Sequence, residues 1–489
     1  MKLFRSLGLL ALLSSIFLGT AHAALNSAIV FEMRSTGNAN NGGGFKTGAS
    51  GVDYSQQDSP QATLTTLSVV NADTTKVTIS LTDYTVHAND VGNVWRNTGG
   101  TSTAGWYEIT AVDTVGNTWT LDRAIGTAAQ TCGGRMGGAI STFQDAFFET
   151  LEPGNKVWVK YASPFNMTEN LTVAKDGTAA AYITIEGYKT TRGDAPTGSD
   201  LPDIQATGSN FTFTFDDYWE IKYLSFNTGG QGIRVDIGGK ILGCTSTTST
   251  ASGTQEAFDL GNGTDNQIIN SKAVTTNSGA QGAITAGSSG SQIIGCQVDS
   301  AGLGITAAAS LTINGCYIEA VTGISVGTAG LNITDTIMSG CTTAVNFSIA
   351  GAARAFLKNV TIYGAETPAG TGISIGATST SIIWRNLILY GLTTGITRTT
   401  SADNTVFGDY SNFFNNTTDR TNVTAGANDV ALDPQFTNAA AGDFSIGTNL
   451  KAAGFPGVFP GGLSTGYLDI GGVQRQESGG SSSSICAGG

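Results

Sequence analysis

A Gly-plus-aliphatic step recurs through the middle of the chain, at Gly232-Ile233, Gly304-Ile305, Gly323-Ile324, Gly372-Ile373 and Gly395-Ile396. Looser versions stand at Ala257-Phe258, Ala283-Ile284 and Ala344-Val345, and the apolar members are 25, 26, 21, 19, 21, 28 and 23 residues apart. A second row can be stacked between these steps: Cys244, Ser271, Cys296, Cys316, Thr336, Val360 and Leu387. Two residues further on come Ser246, Ala273, Val298, Ile318, Met338, Ile362 and Leu389. Both rows are mostly small or apolar, as inward strand positions are at a period of two. Clusters of Gly, Asn, Ser and Thr separate the strands and supply turns.

A unit this short holds two or three strands and cannot bury its own apolar face; stacked on its neighbours at about 4.8 Å, it can. The repeat therefore predicts an all-β parallel β-helix, a solenoid whose successive coils pair in register. A β-sandwich also spaces its strands every ~8–12 residues, but it does not keep one position inward through seven units. Upstream, Ser141 to Leu151 reads as an amphipathic helix, capped by Ser141 or Thr142, with Phe143, Phe147, Phe148 and Leu151 on one stripe. Such a helix would cover the open end of the solenoid, where strand edges are otherwise unpaired. Residues 24–140 lack the period and read as a small β-rich module, with strands at Val77–Leu81, Trp106–Ile109 and Thr118–Leu121. The β-helix is expected over 141–475, followed by a Ser/Gly tail at 476–489.

Composition narrows the partners. With 24 Lys and Arg against 37 Asp and Glu, the net charge is -13, which excludes the electrostatic footprint of a nucleic-acid binder. Two histidines leave little room for His-based catalysis or metal binding. Residues 1–23 read as a cleavable secretory signal: Lys2 and Arg5, an apolar run from Leu7 to Leu18, then Ala21-His22-Ala23. No later apolar run is long enough for a transmembrane segment. An extracellular or cell-surface location follows as the expectation. Six cysteines in so long a chain are no disulfide scaffold, and Cys296 and Cys316, stacked inward, are expected to be free thiols.

Three stretches carry a resemblance. Phe143-Gln144-Asp145-Ala146 precedes Pro153-Gly154-Asn155-Lys156-Val157-Trp158-Val159; Ile183-Thr184-Ile185-Glu186-Gly187-Tyr188 follows. Near the end stand Asp433-Pro434-Gln435-Phe436, Gly442-Asp443-Phe444-Ser445-Ile446 and Asp469-Ile470-Gly471-Gly472. Together they resemble the capping helix, first coils and closing element of secreted right-handed parallel β-helix repeat proteins, a pectate-lyase-like family. The resemblance implies fold rather than activity, because that family spans lyases, hydrolases, adhesins and phage tailspikes. Self-association comes only by analogy with the tailspikes.

The registers also expose outward rows. One row lies three residues past the cysteine position: Thr247, Val274, Asp299, Glu319, Ser339, Tyr363 and Tyr390. Asp299 and Glu319 would sit one coil apart. Two carboxylates at roughly 5 Å can share a proton, ligate Ca²⁺ or act as a retaining glycosidase pair, or simply stand screened in solvent. Tyr317, Tyr363 and Tyr390 offer stacking platforms for sugar rings on the same face. Another row runs Arg234, Asp259, Thr285, Thr306, Ser325, Asn346, Ser374 and Thr397, opening with an Arg234–Asp259 surface pair. No cofactor or metal site is called for; calcium is one use of the carboxylate pair. No His follows residue 87, and the Asp299 row holds two acids where a pectate-lyase-like site implies several with an Arg or Lys nearby. The leading expectation is thus a non-catalytic adhesin, structural element or carbohydrate binder for extracellular or cell-surface glycans. The alternative is a polysaccharide lyase or glycoside hydrolase using Asp299 and Glu319, with a tailspike-like protein a lesser reading.

Overall fold

The computed structural model describes residues 25–474 apart from 71–72, 81, 168, 207–211, 250–255, 262, 277, 279–281, 328–329, 348–353, 377–380, 401–404, 452 and 456–467. The expected signal at 1–23, the tail and Cys486 lie outside the described residues. The chain winds as a parallel β-helix with three faces. On the first face Trp219–Lys222 pairs with Lys240–Leu242, then with Gln267–Ile269 and Ser291–Ile294. The second face runs through Ser225–Thr228, Thr245–Thr248 and Lys272–Thr275, and the third through Phe213–Phe215, Ile233–Val235 and Phe258–Leu260.

Alternation makes each strand two-sided. Ile221, Ile241, Ile268, Ile293, Ile313, Ile333, Leu357 and Trp384 stack inward through eight coils, and all are buried. The apolar surface that one coil cannot hide is covered by the next. Cys296 lies directly over Cys316, both buried and both free thiols. Between the first and second faces each coil must turn with positive φ. Gly243, Gly295 and Gly315 do so without a Cβ penalty, and Asn270, Asp335, Asn359 and Asn386 occupy the same turn in other coils. The buried Asn386 amide donates to Asn359 Oδ1 at 3.0 Å, and Asn359 donates to Asp335 Oδ1 at 2.8 Å, so three coils are tied by side chains as well as by backbone.

Three expectations need adjusting. The helix is a single turn, Asp145–Phe148, with Gln144 at its N-cap. The apolar stripe of Phe143, Phe147, Phe148 and Leu151 nonetheless fills the solenoid core, so burial rather than propensity holds the turn. Second, residues 24–140 are not one module. Ile29–Met33 pairs in parallel with Lys156–Lys160 and so forms the first rung of the solenoid. The independent part is a closed six-stranded barrel built from Ala62–Val70, Asp73–Ile79, Val94–Gly100, Gly105–Asp113, Thr118–Leu121 and Thr131–Met136, packed around Trp95, Tyr107 and Trp119. It is an insertion between the first and second rungs. Third, the closing element does more than end the chain: Phe436, Ile446, Leu450 and Ile470 fold back over the second face, against Tyr363, Ile388, Tyr390 and Phe414.

Candidate functional site

The second-face row is in the expected register: Thr247, Val274, Asp299, Glu319, Ser339, Tyr363 and Tyr390 oppose one another coil by coil. Asp299 and Glu319 are exposed neighbours. Tyr363 and Tyr390 are not open platforms. Tyr363 and Tyr390 stack on each other at 5.3 Å, Phe436 and Phe444 close over them, and Tyr390 is buried. Their hydroxyls donate to Glu366 at 3.2 and 2.6 Å, and burial, with that carboxylate second, pushes the Tyr390 phenol up. Tyr317 and Glu319 instead line a cavity of about 690 Å³ between the second face and the closing segment, with Gln297, Asp443, Phe444 and Ser445. Asp299 is not among the residues that line it.

The third-face row also holds its register from Arg234 to Thr397. Arg234 lies 3.5 Å from Asp259 and 3.3 Å from Asp236. The pair is not a surface one, since Asp259 is buried, and Gln231 donates to both Asp259 (3.0 Å) and the buried Glu256 (3.1 Å). Burial raises both carboxyls above the usual range, and for Glu256 the neighbouring Asp259 adds to it.

A group of three carboxylates lies elsewhere, at the turn from the third face to the first. Leu171–Val173, Phe213–Phe215 and Ile233–Val235 stack in register, so the turns that follow them stack too. These turns carry Asp176, Asp216-Asp217 and Asp236. One oxygen from each of Asp176, Asp216 and Asp217 lies within 4.8 Å of the others. Asp217 Oδ1 accepts from the Ile237 amide at 3.1 Å, and Asp217 N donates to Asp176 Oδ1 at 3.3 Å. Trp219 anchors the turn: its ring is buried against Phe148 and Phe215, and its indole N–H donates to Lys175 O at 2.7 Å. Tyr218, with φ of 56°, places its ring 5.8 Å from Tyr182, over which the Lys240 ammonium sits at 4.2 Å. Asp216 and Asp217 both have raised carboxyl pKa values, first from partial burial and then from the neighbouring carboxylates. This corrects the count of acids made from the Asp299 row alone.

A raised carboxyl gives a stability sign. Below the unfolded value near 4 both states are protonated and the site is neutral to folding. As pH rises through that value toward the higher folded value, the unfolded state ionises first and the fold loses stability. In a chelator-containing buffer, Asp216→Asn is therefore expected to melt slightly above the wild type at pH 7 and to match it near pH 3. Calcium should reverse the order at pH 7. Thermal melts in EDTA and in CaCl₂ check this; an order that calcium leaves unchanged would mean the cluster holds no cation.

No family model matches the chain, and no curated protein matches it. Among solved structures it is similar to pectate lyase Pel9A, at 14% identity over 67% of this chain and 90% of that one, with a TM-score of 0.46. It is also similar to the tailspike protein gp49 from Pseudomonas phage LKA1 (12%, 76% and 64%, TM-score 0.26). A third is the catalytic domain of a GH87 alpha-1,3-glucanase (9%, 76% and 89%, TM-score 0.27). At these identities the likeness concerns architecture alone. Its stacked coils and three parallel faces make this chain, by fold, a parallel β-helix.

Proposed function

We propose that this is an exported, extracellular glycan-binding protein that grips an acidic polysaccharide through a divalent cation at Asp176, Asp216 and Asp217. The observation that carries the reading is the convergence of three carboxylates from neighbouring coils within 4.8 Å, two of them held in a state of raised pKa. An all-oxygen, carboxylate donor set suits Ca²⁺ rather than a softer metal. Calcium takes about 6–8 oxygens, so three side chains leave positions for the carboxylates of a uronate chain. When bound, the cation would supply the charge that an acidic chain lacks for holding an acidic polymer. Tyr182 and Tyr218 flank the site with aromatic surface.

Binding is favoured over cleavage by how the neighbouring cations are used. Arg234 is held by Asp236 and Asp259, Lys175 pairs with Glu152 at 2.7 Å, and Lys240 lies over Tyr182. A lyase needs one such group available to take a proton. Asp299 and Glu319, the pair of the hydrolase alternative, share a register but not the cavity that Glu319 lines. In affinity gels containing polygalacturonate, the protein should be retarded with Ca²⁺ and run free in EDTA. The Asp216→Asn/Asp217→Asn variant should run free in both. New chain ends in the polymer would replace the binder with the lyase, and retardation that survives EDTA would remove the cation from the account.

A further inference from the structure

The barrel carries a charge arrangement that the glycan reading does not use. Across four of its strands one row of directly opposed residues reads Trp106, Arg96, Arg135 and Thr63. Opposed residues of an antiparallel ladder share a face, with Cβ atoms about 5 Å apart, and like charges there repel. The Arg96 guanidinium lies 4.2 Å from the Trp106 ring centroid. That contact occupies one face of the guanidinium and leaves its edge. Arg96 Nη1 and Trp106 Nε1 are both buried donors without a hydrogen-bond acceptor among the described residues. Trp106 is itself wedged against Phe147 of the helical turn, at 5.6 Å.

Nearby carboxylates are engaged otherwise. Glu108, the same-face diagonal neighbour of Arg96, pairs with Lys46 at 3.0 Å. Asp122 is held by Arg123. The other arginines of this region, Arg34 and Arg192, both converge on Glu32. Arg96 and Arg135 have no carboxylate partner among the described residues, in a chain with 37 acids. Burial without a counter-ion lowers the Arg96 pKa to about 10.

We propose that Arg96 and Arg135 form an oxyanion site on the barrel wall, where it meets the helical turn, for the carboxylate or sulfate group of an acidic saccharide. Guanidinium side chains on one face of two adjacent strands suit the paired oxygens of such a group, and a charge-assisted bond is about twice as strong as a neutral one. The anion removes the repulsion between the two arginines. The site needs no metal and is independent of the aspartate cluster.

The test uses the full chain in EDTA, so that a cation site stays silent. Calorimetric titrations with a galacturonate tetramer, with sodium sulfate and with a neutral glucose tetramer separate the sources. The expected result is that the galacturonate tetramer binds, sulfate competes with it, and the neutral sugar does not bind. Arg135→Gln, at a half-buried position, should weaken binding about ten-fold, the worth of one lost charged hydrogen bond, with a melting point no lower than the wild type's. Arg96→Lys should weaken it too, because the charge stays but the fork is lost. Sulfate binding alone would make a free oxyanion the occupant and overturn the saccharide. Failure of both anions to bind, or binding that Arg135→Gln leaves intact, would overturn the site.

Discussion

Replacing Glu32 by Ala is expected to loosen the first rung of the solenoid, lowering amide-exchange protection of Ile29–Met33 on the order of 10²–10³-fold. Glu32 is fully buried, and three groups converge on its carboxylate: Arg34 Nε at 2.8 Å, Arg192 at 2.9 and 2.7 Å, and the Tyr188 hydroxyl. Arg192 also reaches Ser55 and Asp53, and Arg34 reaches Asp58. One anion thereby fastens the first rung to the loop before the barrel and to the loop after Ile183–Tyr188. Removing it leaves Arg34 and Arg192 with only their longer contacts, to Asp58 at 3.4 Å and Asp53 at 3.5 Å, which costs about 3–4 kcal/mol. Protection equal to that of the wild type would show that the network is incidental to that rung.

Trp219→Ala should have an effect of similar size at a different place. The indole is buried between Phe148 and Phe215, and its N–H satisfies Lys175 O. Truncation opens a cavity and orphans a carbonyl, for about 3–5 kcal/mol. Because Trp219 directly follows Asp216-Asp217-Tyr218, calcium affinity should fall along with the denaturation midpoint. Trp219→Phe keeps most of the volume and should recover most of the affinity. A destabilised variant with undiminished calcium binding would separate the tryptophan from the acidic turn.

Most of the winding was legible because inward positions obey a period that survives variable turn lengths. The Cys244 row and the Gly-aliphatic row both stack as their spacing requires, down to Asp299 over Glu319. What the spacing hides is what lies on top. Tyr363 and Tyr390 point outward, as expected, yet Phe436 and Phe444 from the closing segment cover them, a contact that no local pattern encodes. The aspartate cluster was missed for a related reason. Asp216 and Asp217 are conspicuous in the sequence, but Asp176 joins them across a coil 42 residues long, from Val173 to Phe215, while the next takes 20, to Val235. Irregular coils break the spacing while keeping the stack. The first rung was obscured likewise, because the barrel stands between Ile29–Met33 and its partner.

That insertion has a consequence for how the molecule assembles. Val30 must find Lys156, and every residue of the barrel lies between them. If the intervening chain were flexible, closing such a loop would be slow and entropically unfavourable. A barrel that folds first shortens it to two tethers leaving one rigid body. Connectivity thus favours an order in which the inserted unit forms before Ile29–Met33 docks onto Lys156–Lys160.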